Sequence, residues 1–190
     1  MQHDDRTLVR AWCAGDPGAY SELLLRHIKL LRRVAIVTAG ALVSRDELVI
    51  DDILQDACMR LLDAFKRYKG DCEPHTFMAG VVRHCALDAV RNYMKYQRKR
   101  VFAQTVHDTQ EHYHADTADI LIESMENEKI IALLSRIGEP DRSLLYLREA
   151  EGVELKELCA MFKMPLGTVK SKISRAREKL RKLALEEEEI

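Results

Sequence analysis

Apolar positions in this chain recur three and four residues apart, the period of helices that bury one face. The first run is AGDPGAYSELLLRHIKLLRRVAIV, with Tyr20, Leu23, Leu24, Ile28 and Leu31 as its stripe. Asp16 can cap free backbone N–H groups ahead of it, and Pro17 suits the first helical position. Ser44 and Glu47 stand at capping-box spacing and predict a second start. From there DELVIDDILQDACMRLLDAFKRY turns Leu54, Cys58, Leu61, Leu62 and Phe65 inward, with Asp51, Asp52, Gln55, Asp56 and Asp63 outside. The loop KGDCEPHTF leads into a third helix, predicted from about Thr76 to Arg100. Val82, Cys85, Ala89, Tyr93 and Tyr96 share its core face. His84, Asp88, Arg91, Lys95 and Lys99 share roughly the opposite face, and the helix ends in RKR.

The second half shows stripes at Ile130/Leu133/Leu134/Ile137 and at Leu144/Leu145/Leu147, separated by Gly138 and Pro140. Gly152 is placed to end the second. Leu155, Leu158 and Phe162 predict a short helix, followed by a tight break and a long helix from Pro165. That is a helix-turn-helix layout, with Cys159 at a small-residue position where the two helices approach. On the last helix Val169, Ile173, Ala176, Leu180 and Leu183 form the apolar stripe. Thr168, Ser171, Lys172, Arg175 and Lys179 form a separate face, flanked by Lys170, Arg177 and Arg181. The fold class expected is all-α, as two small helical domains.

Charge sharpens that division. The chain holds 30 basic and 31 acidic residues, yet they are unevenly spread. Through Arg100 there are 17 basic and 13 acidic residues; from Val101 to Glu128 there are seven acids and no Lys or Arg. The remainder has 13 basic and 11 acidic residues, four of the acids in the run Glu186–Glu189. Two mildly basic ends around an acidic middle predict domains at 1–100 and 124–185, a linker at 101–123 and an acidic tail at 186–190. Residues 164–182 alone carry seven Lys or Arg against Glu178. Crowded like charges repel one another on a surface helix, and phosphate contacts relieve that by releasing counterions. In a docked helix-turn-helix, Thr168, Lys170, Ser171 and Lys172 would face base edges. Along the third helix, cations beside aromatic residues suit single-stranded nucleic acid.

Other chemistries find little support. The five cysteines are scattered, none in a C-x-x-C pair, and Cys72 with His75 is a lone C-x-x-H. No phosphate-cradling loop or nucleophile motif occurs, and Asp51, Asp52 and Asp56 read better as a docking face than as magnesium ligands. No metal site, cofactor or catalysis is expected. No apolar run reaches the length of a membrane span, and the polar N-terminus lacks a signal-peptide layout, so a cytoplasmic protein is expected. A helix-turn-helix regulator with a sensory or dimerising N-terminal half would also carry these features.

Four blocks together resemble the extracytoplasmic-function (ECF) type of bacterial RNA polymerase sigma factor. They are AGDPGAY at 14–20, DDILQDACMRL at 51–61, HTFMAGVVRHCALDAVR at 75–91 and EPDRSLLYLREAEGVELKELCAMFKMPLGTVKSKISRAREKLR at 139–181. The resemblance implies an alternative sigma factor that binds core RNA polymerase, directs it to promoter DNA and assists strand opening. It implies polymerase docking by Asp51, Asp52, Gln55 and Asp56. It implies minus-ten reading and melting by residues 71–100, with His75, Phe77, His84, Asp88, Arg91, Lys95, Arg98 and Lys99 as contacts. Thr168, Lys170, Ser171, Lys172, Ser174, Arg175, Arg177 and Lys179 would read the minus-thirty-five element. An anti-sigma partner is implied as well. Against the common family pattern, Phe77 stands for Trp, His75 for Arg, His84 for Asn and Lys172 for Arg. The last change keeps the charge and loses bidentate geometry toward guanine.

Overall fold

The computed structural model describes residues 4–40, 48–103, 130 and 132–188, with backbone alone at 97–103 and 187–188. The capping box at Ser44 and Glu47 and most of the acidic connector lie outside the described residues. Among the described residues the N-terminal unit contains α1 (Asp5–Cys13), α2 (Pro17–Ala39), α3 (Leu48–Ala64) and α4 (Pro74–Ala103). Phe65–Arg67 adds a tight helical turn after α3. The C-terminal unit contains α5 (Asp141–Glu149), α6 (Leu155–Phe162) and α7 (Leu166–Glu188). No strand occurs among the described residues.

Local chemistry sets the boundaries. The Asp16 carboxylate accepts from the Gly18 N–H at 2.9 Å and Pro17 opens α2, as the sequence predicts. Lys163, in the left-handed region at φ 52°, closes α6 and begins the turn into α7. In the N-terminal unit Leu23, Leu31, Ile53, Leu61, Phe65, Met78 and Val82 are buried together. Around α7 the buried set is Leu144, Leu147, Leu158, Val169, Ile173, Ala176 and Leu183, so the predicted stripe of the last helix is its inner face.

Three apolar positions depart from their stripes. Ile28 is 37% exposed, because Leu23, Leu31, Val34 and Thr38 bury an arc of α2 centred about 100° away on the helix. Tyr96 is 63% exposed: among the described residues α4 runs past its packing partners after Tyr93. Ile130 is 49% exposed, and Leu134 and Ile137 anchor its segment instead.

The two units touch. α2 packs on α5 and α4 packs on α6, so the helix-turn-helix rests on the N-terminal bundle.

Candidate nucleic-acid interface

The strongest cationic surface is built on α7. Its apolar stripe seats it against α5 and α6, which fixes the outward direction of everything else. Lys170, Ser171, Ser174, Arg175, Arg177 and Lys179 are all exposed, and Thr168 is half-buried, its carbonyl accepting from the Ser171 hydroxyl at 2.9 Å. The cations are less uniform than their sequence suggests. Lys172 Nζ bonds Asp141 at 2.7 Å with its side chain 21% exposed, and Arg177 bonds Glu149 at 2.6 Å. Lys182 pairs with Glu178 at 3.0 Å. For Lys172 and Arg177 the counter-charges come from α5, about thirty residues away, where a helical wheel of α7 alone does not look. The pair at Lys172 is half-sheltered and orients the ammonium along its own domain. Lys170, Arg175 and Lys179 project outward on the exposed face.

One neighbour escaped sequence reasoning. Arg148 on α5 lines a shallow depression of about 260 Å³ with Lys170, Ser174 and Arg177, floored by Leu155 and Ile173. Arg148 donates to the Val153 carbonyl at 3.0 Å, which holds its guanidinium in place. Arg148 and Lys170, beside the Glu149-paired Arg177, give this hollow a basic lining continuous with α7. The signal was present as the YLRE segment, but its facing is a tertiary fact.

The second surface lies on α4. His84 is exposed, its Nδ1–H donating to the Gly80 carbonyl at 2.7 Å. Arg91 and Lys95 are exposed, and Asp88 sits between Arg60 and Arg91 at 3.1 Å each. Met94 and Tyr96 stand clear beside them. The side chains of Arg98 and Lys99 lie outside the described residues. His75 and Phe77 are not on this open stretch. His75 stacks near His27, with centroids 5.7 Å apart, and Phe77 packs on Phe65 and Tyr68 at 5.5 and 5.0 Å. Tyr68 in turn donates to the Cys72 carbonyl, so these rings hold the loop that opens α4.

On α3, Asp51, Asp52, Gln55 and Asp56 are all exposed. Asp51 pairs with Arg32 at 2.9 Å and Asp56 with Arg60 at 2.9 Å. Hydrogen bonds to Asp56 and Asp88 raise the Arg60 pKa from its usual value. Beneath them burial pushes the Cys85 thiol up to about 12. Among the described residues no cluster of His, Cys, Asp and Glu could hold a metal ion, and no helix is long and apolar enough to cross a membrane.

A helix-turn-helix with a cation-bearing outer helix, joined to a second bundle with its own basic face, defines a DNA-binding transcription protein. Residues 23–96 match the family described as Sigma-70 region 2, and residues 127–180 match Sigma-70, region 4. The chain belongs to the ECF sigma factors. It is 26% identical over 186 residues to the ECF RNA polymerase sigma-E factor of Escherichia coli (strain K12), covering 93% of this chain and 92% of that protein. The sigma-E factor of Haemophilus influenzae is 26% identical over 189 residues, covering 93% of each. Among solved structures, CnrH in complex with the cytosolic domain of CnrY aligns with TM-score 0.68 at 19% identity, over 95% of this chain and 96% of that one. The sigma factor RpoE of Bartonella quintana, in complex with the anti-sigma factor NepR, aligns with TM-score 0.62 at 20% identity, over 87% and 96%.

Proposed function

We infer that this chain is an alternative sigma factor: it binds core RNA polymerase, brings it to particular promoters and assists strand opening, with no catalysis of its own. The observation that carries this reading is the pairing of both family regions, in order, on two helical units that each present a basic face. The α3 face with Asp51, Asp52, Gln55 and Asp56 docks on polymerase. Residues 71–100 read and melt the minus-ten element through His84, Arg91, Lys95 and the exposed Tyr96, a ring free to stack on an unpaired base. Phe77 and His75 support that surface from below. Lys170, Ser171, Ser174, Arg175 and Lys179 read the minus-thirty-five element, with Arg148 beside them.

Boundaries at about residues 100 and 124, with a connecting acidic linker, divide the chain between these tasks. The protein works in the cytoplasm, where the polymerase is. The solved relatives bound to NepR and to the cytosolic domain of CnrY support an anti-sigma partner for this chain. Run-off transcription with purified core enzyme on a genomic library tests the reading. Promoter-dependent transcripts are expected, and their absence would refute it.

A further inference from the structure

α5 packs on α7 and carries an acid at each end: Asp141 opens this nine-residue helix and Glu149 closes it. At 100° per residue the buried stripe of α7 is centred near Val169 and Ala176. Lys172 lies about 60° to one side of that stripe and Arg177 about 80° to the other. The two acids therefore reach opposite flanks of α7, Asp141 taking Lys172 at 2.7 Å and Glu149 taking Arg177 at 2.6 Å. The pairs differ in shelter. The side chains of Lys172 and Asp141 are 21% and 26% exposed, and those of Arg177 and Glu149 are 55% and 48%. An exposed pair is screened by salt and yields readily to a competing phosphate, whereas a sheltered pair is screened far less. Asp141 is also fixed from below, since Leu144 and Leu145 of the same helix are buried. Its charge suits the positive end of α5 as well.

What the Asp141 pair withholds is visible along the helix. Arg175 stands three residues after Lys172 and Lys179 seven after it, so all three share one flank. Arg175 and Lys179 are exposed. With Lys172 released, they would complete a row of three cations over two turns, able to follow a phosphate backbone in any register. An ammonium is a point charge that attracts every phosphate alike. Phosphate contacts carry no sequence information directly, so a free Lys172 would strengthen binding to all DNA and improve the reading of none. A genome holds far more non-promoter sites than promoters, and the ratio of the two affinities decides where the protein sits.

Building on the sigma-factor reading, we propose that Asp141 is a specificity-determining residue of the helix-turn-helix: it latches Lys172 against α5, breaks the row Lys172–Arg175–Lys179 and so lowers affinity for DNA that lacks the promoter element. It is a positioning residue, acting through Lys172. A freed Lys172 that finds a phosphate adds about 0.9 to the slope of log affinity against log salt. That is about 3.5-fold between 50 and 200 mM salt, and about 5-fold at 150 mM for a contact that is neutral at 1 M.

The test compares wild type with Asp141→Asn, Lys172→Gln, the double variant, and Asp4→Asn, which makes the same change of charge at an exposed position ahead of α1. Fluorescence anisotropy of the full chain on a duplex of arbitrary sequence, titrated with salt, reads the latch. The slope is expected to rise by about 0.9 in Asp141→Asn and to stay at wild type in the other three. Both single variants lose the ion pair and lower Tm alike, so the slope separates the latch from a merely structural role. An unchanged slope in Asp141→Asn would overturn the proposal. So would a rise that persists in the double variant, since Asp141 would then act by its own charge. Specificity is read by run-off transcription of the holoenzyme against competitor duplex, which should halve the Asp141→Asn product at about 5-fold lower concentration than wild type. Equal inhibition would overturn the specificity role. The anisotropy arm needs neither polymerase nor promoter. A raised slope without any promoter-dependent transcript from wild type would overturn the sigma-factor reading and leave the hold of Asp141 on Lys172 standing.

Discussion

Charge on α7 gives a prediction with a worked magnitude. Of its seven Lys and Arg between 164 and 182, three have acidic partners within the protein: Lys172 with Asp141, Arg177 with Glu149 and Lys182 with Glu178. Lys170, Arg175, Lys179 and Arg181 remain exposed for phosphate. Each cation that neutralises a phosphate adds about 0.9 to the slope of log affinity against log salt. Between 50 and 200 mM salt that is about 3.5-fold per cation, or about 150-fold for all four. Replacing Lys170 or Arg175 by Gln should lower the slope by about 0.9, and the double variant by about 1.8. Lys182→Gln, which removes a charge already paired along the helix, should leave the slope near wild type. Fluorescence anisotropy of the reconstituted holoenzyme on a promoter fragment, titrated with salt, measures these differences. Polymerase contributes a large background slope that is common to all variants and cancels. An unchanged slope in Lys170→Gln and Arg175→Gln would refute the assignment of this face. An equal loss in Lys182→Gln would show that total charge matters and its placement does not.

Leu158, fully buried between α5, α6 and α7, should cost about 2–5 kcal/mol of stability when changed to Ala. Urea unfolding followed by circular dichroism would show it, and a loss under 1 kcal/mol would contradict the packing. Asp16→Ala removes the cap on α2 and should cost about 1 kcal/mol, read as a lower Tm without loss of secondary structure. Thiol alkylation at pH 8, followed by mass spectrometry, should modify exposed Cys13 first. Burial pushes Cys72 up to about 11 and Cys85 up to about 12 from 9.0, leaving about 100-fold and about 1000-fold less thiolate than an ordinary cysteine. Because both values are raised, labelling of these two should climb tenfold per pH unit from 8 towards 10; a flat profile would contradict the burial.

The elements were largely legible because a helix writes its buried face into its own periodicity. Val169, Ile173, Ala176 and Leu183 reveal the seat of α7 without any knowledge of what lies beneath. The same rule fails where a helix outruns its neighbours, and Tyr96 kept its helical phase while losing its cover. It fails again for Ile28, since a 23-residue helix packed by several partners shifts its buried arc along its length. Pairings across long sequence separations were illegible. Lys172 reads as a base contact on a wheel, and only the arrival of Asp141 from α5 turns it inward. Thr38 and Ser143 read as ordinary surface hydroxyls and are 1% and 2% exposed. Polar residues carry no periodic mark when they are buried against another unit.

The make-up of the surface where α5 and α6 meet α2 and α4 bears on a different problem, how the two units hold one register. Arg142, Ser143, Thr38, Glu139, Arg83 and Glu157 are groups that water satisfies at once. In the contact each is held by a particular partner, Arg142 by the Thr38 carbonyl and Glu157 by the Glu73 N–H, with Phe162 beneath Arg83, so a shifted seat would leave polar groups buried and unpaired. A joint sealed with leucines alone would hold without fixing how the two units sit.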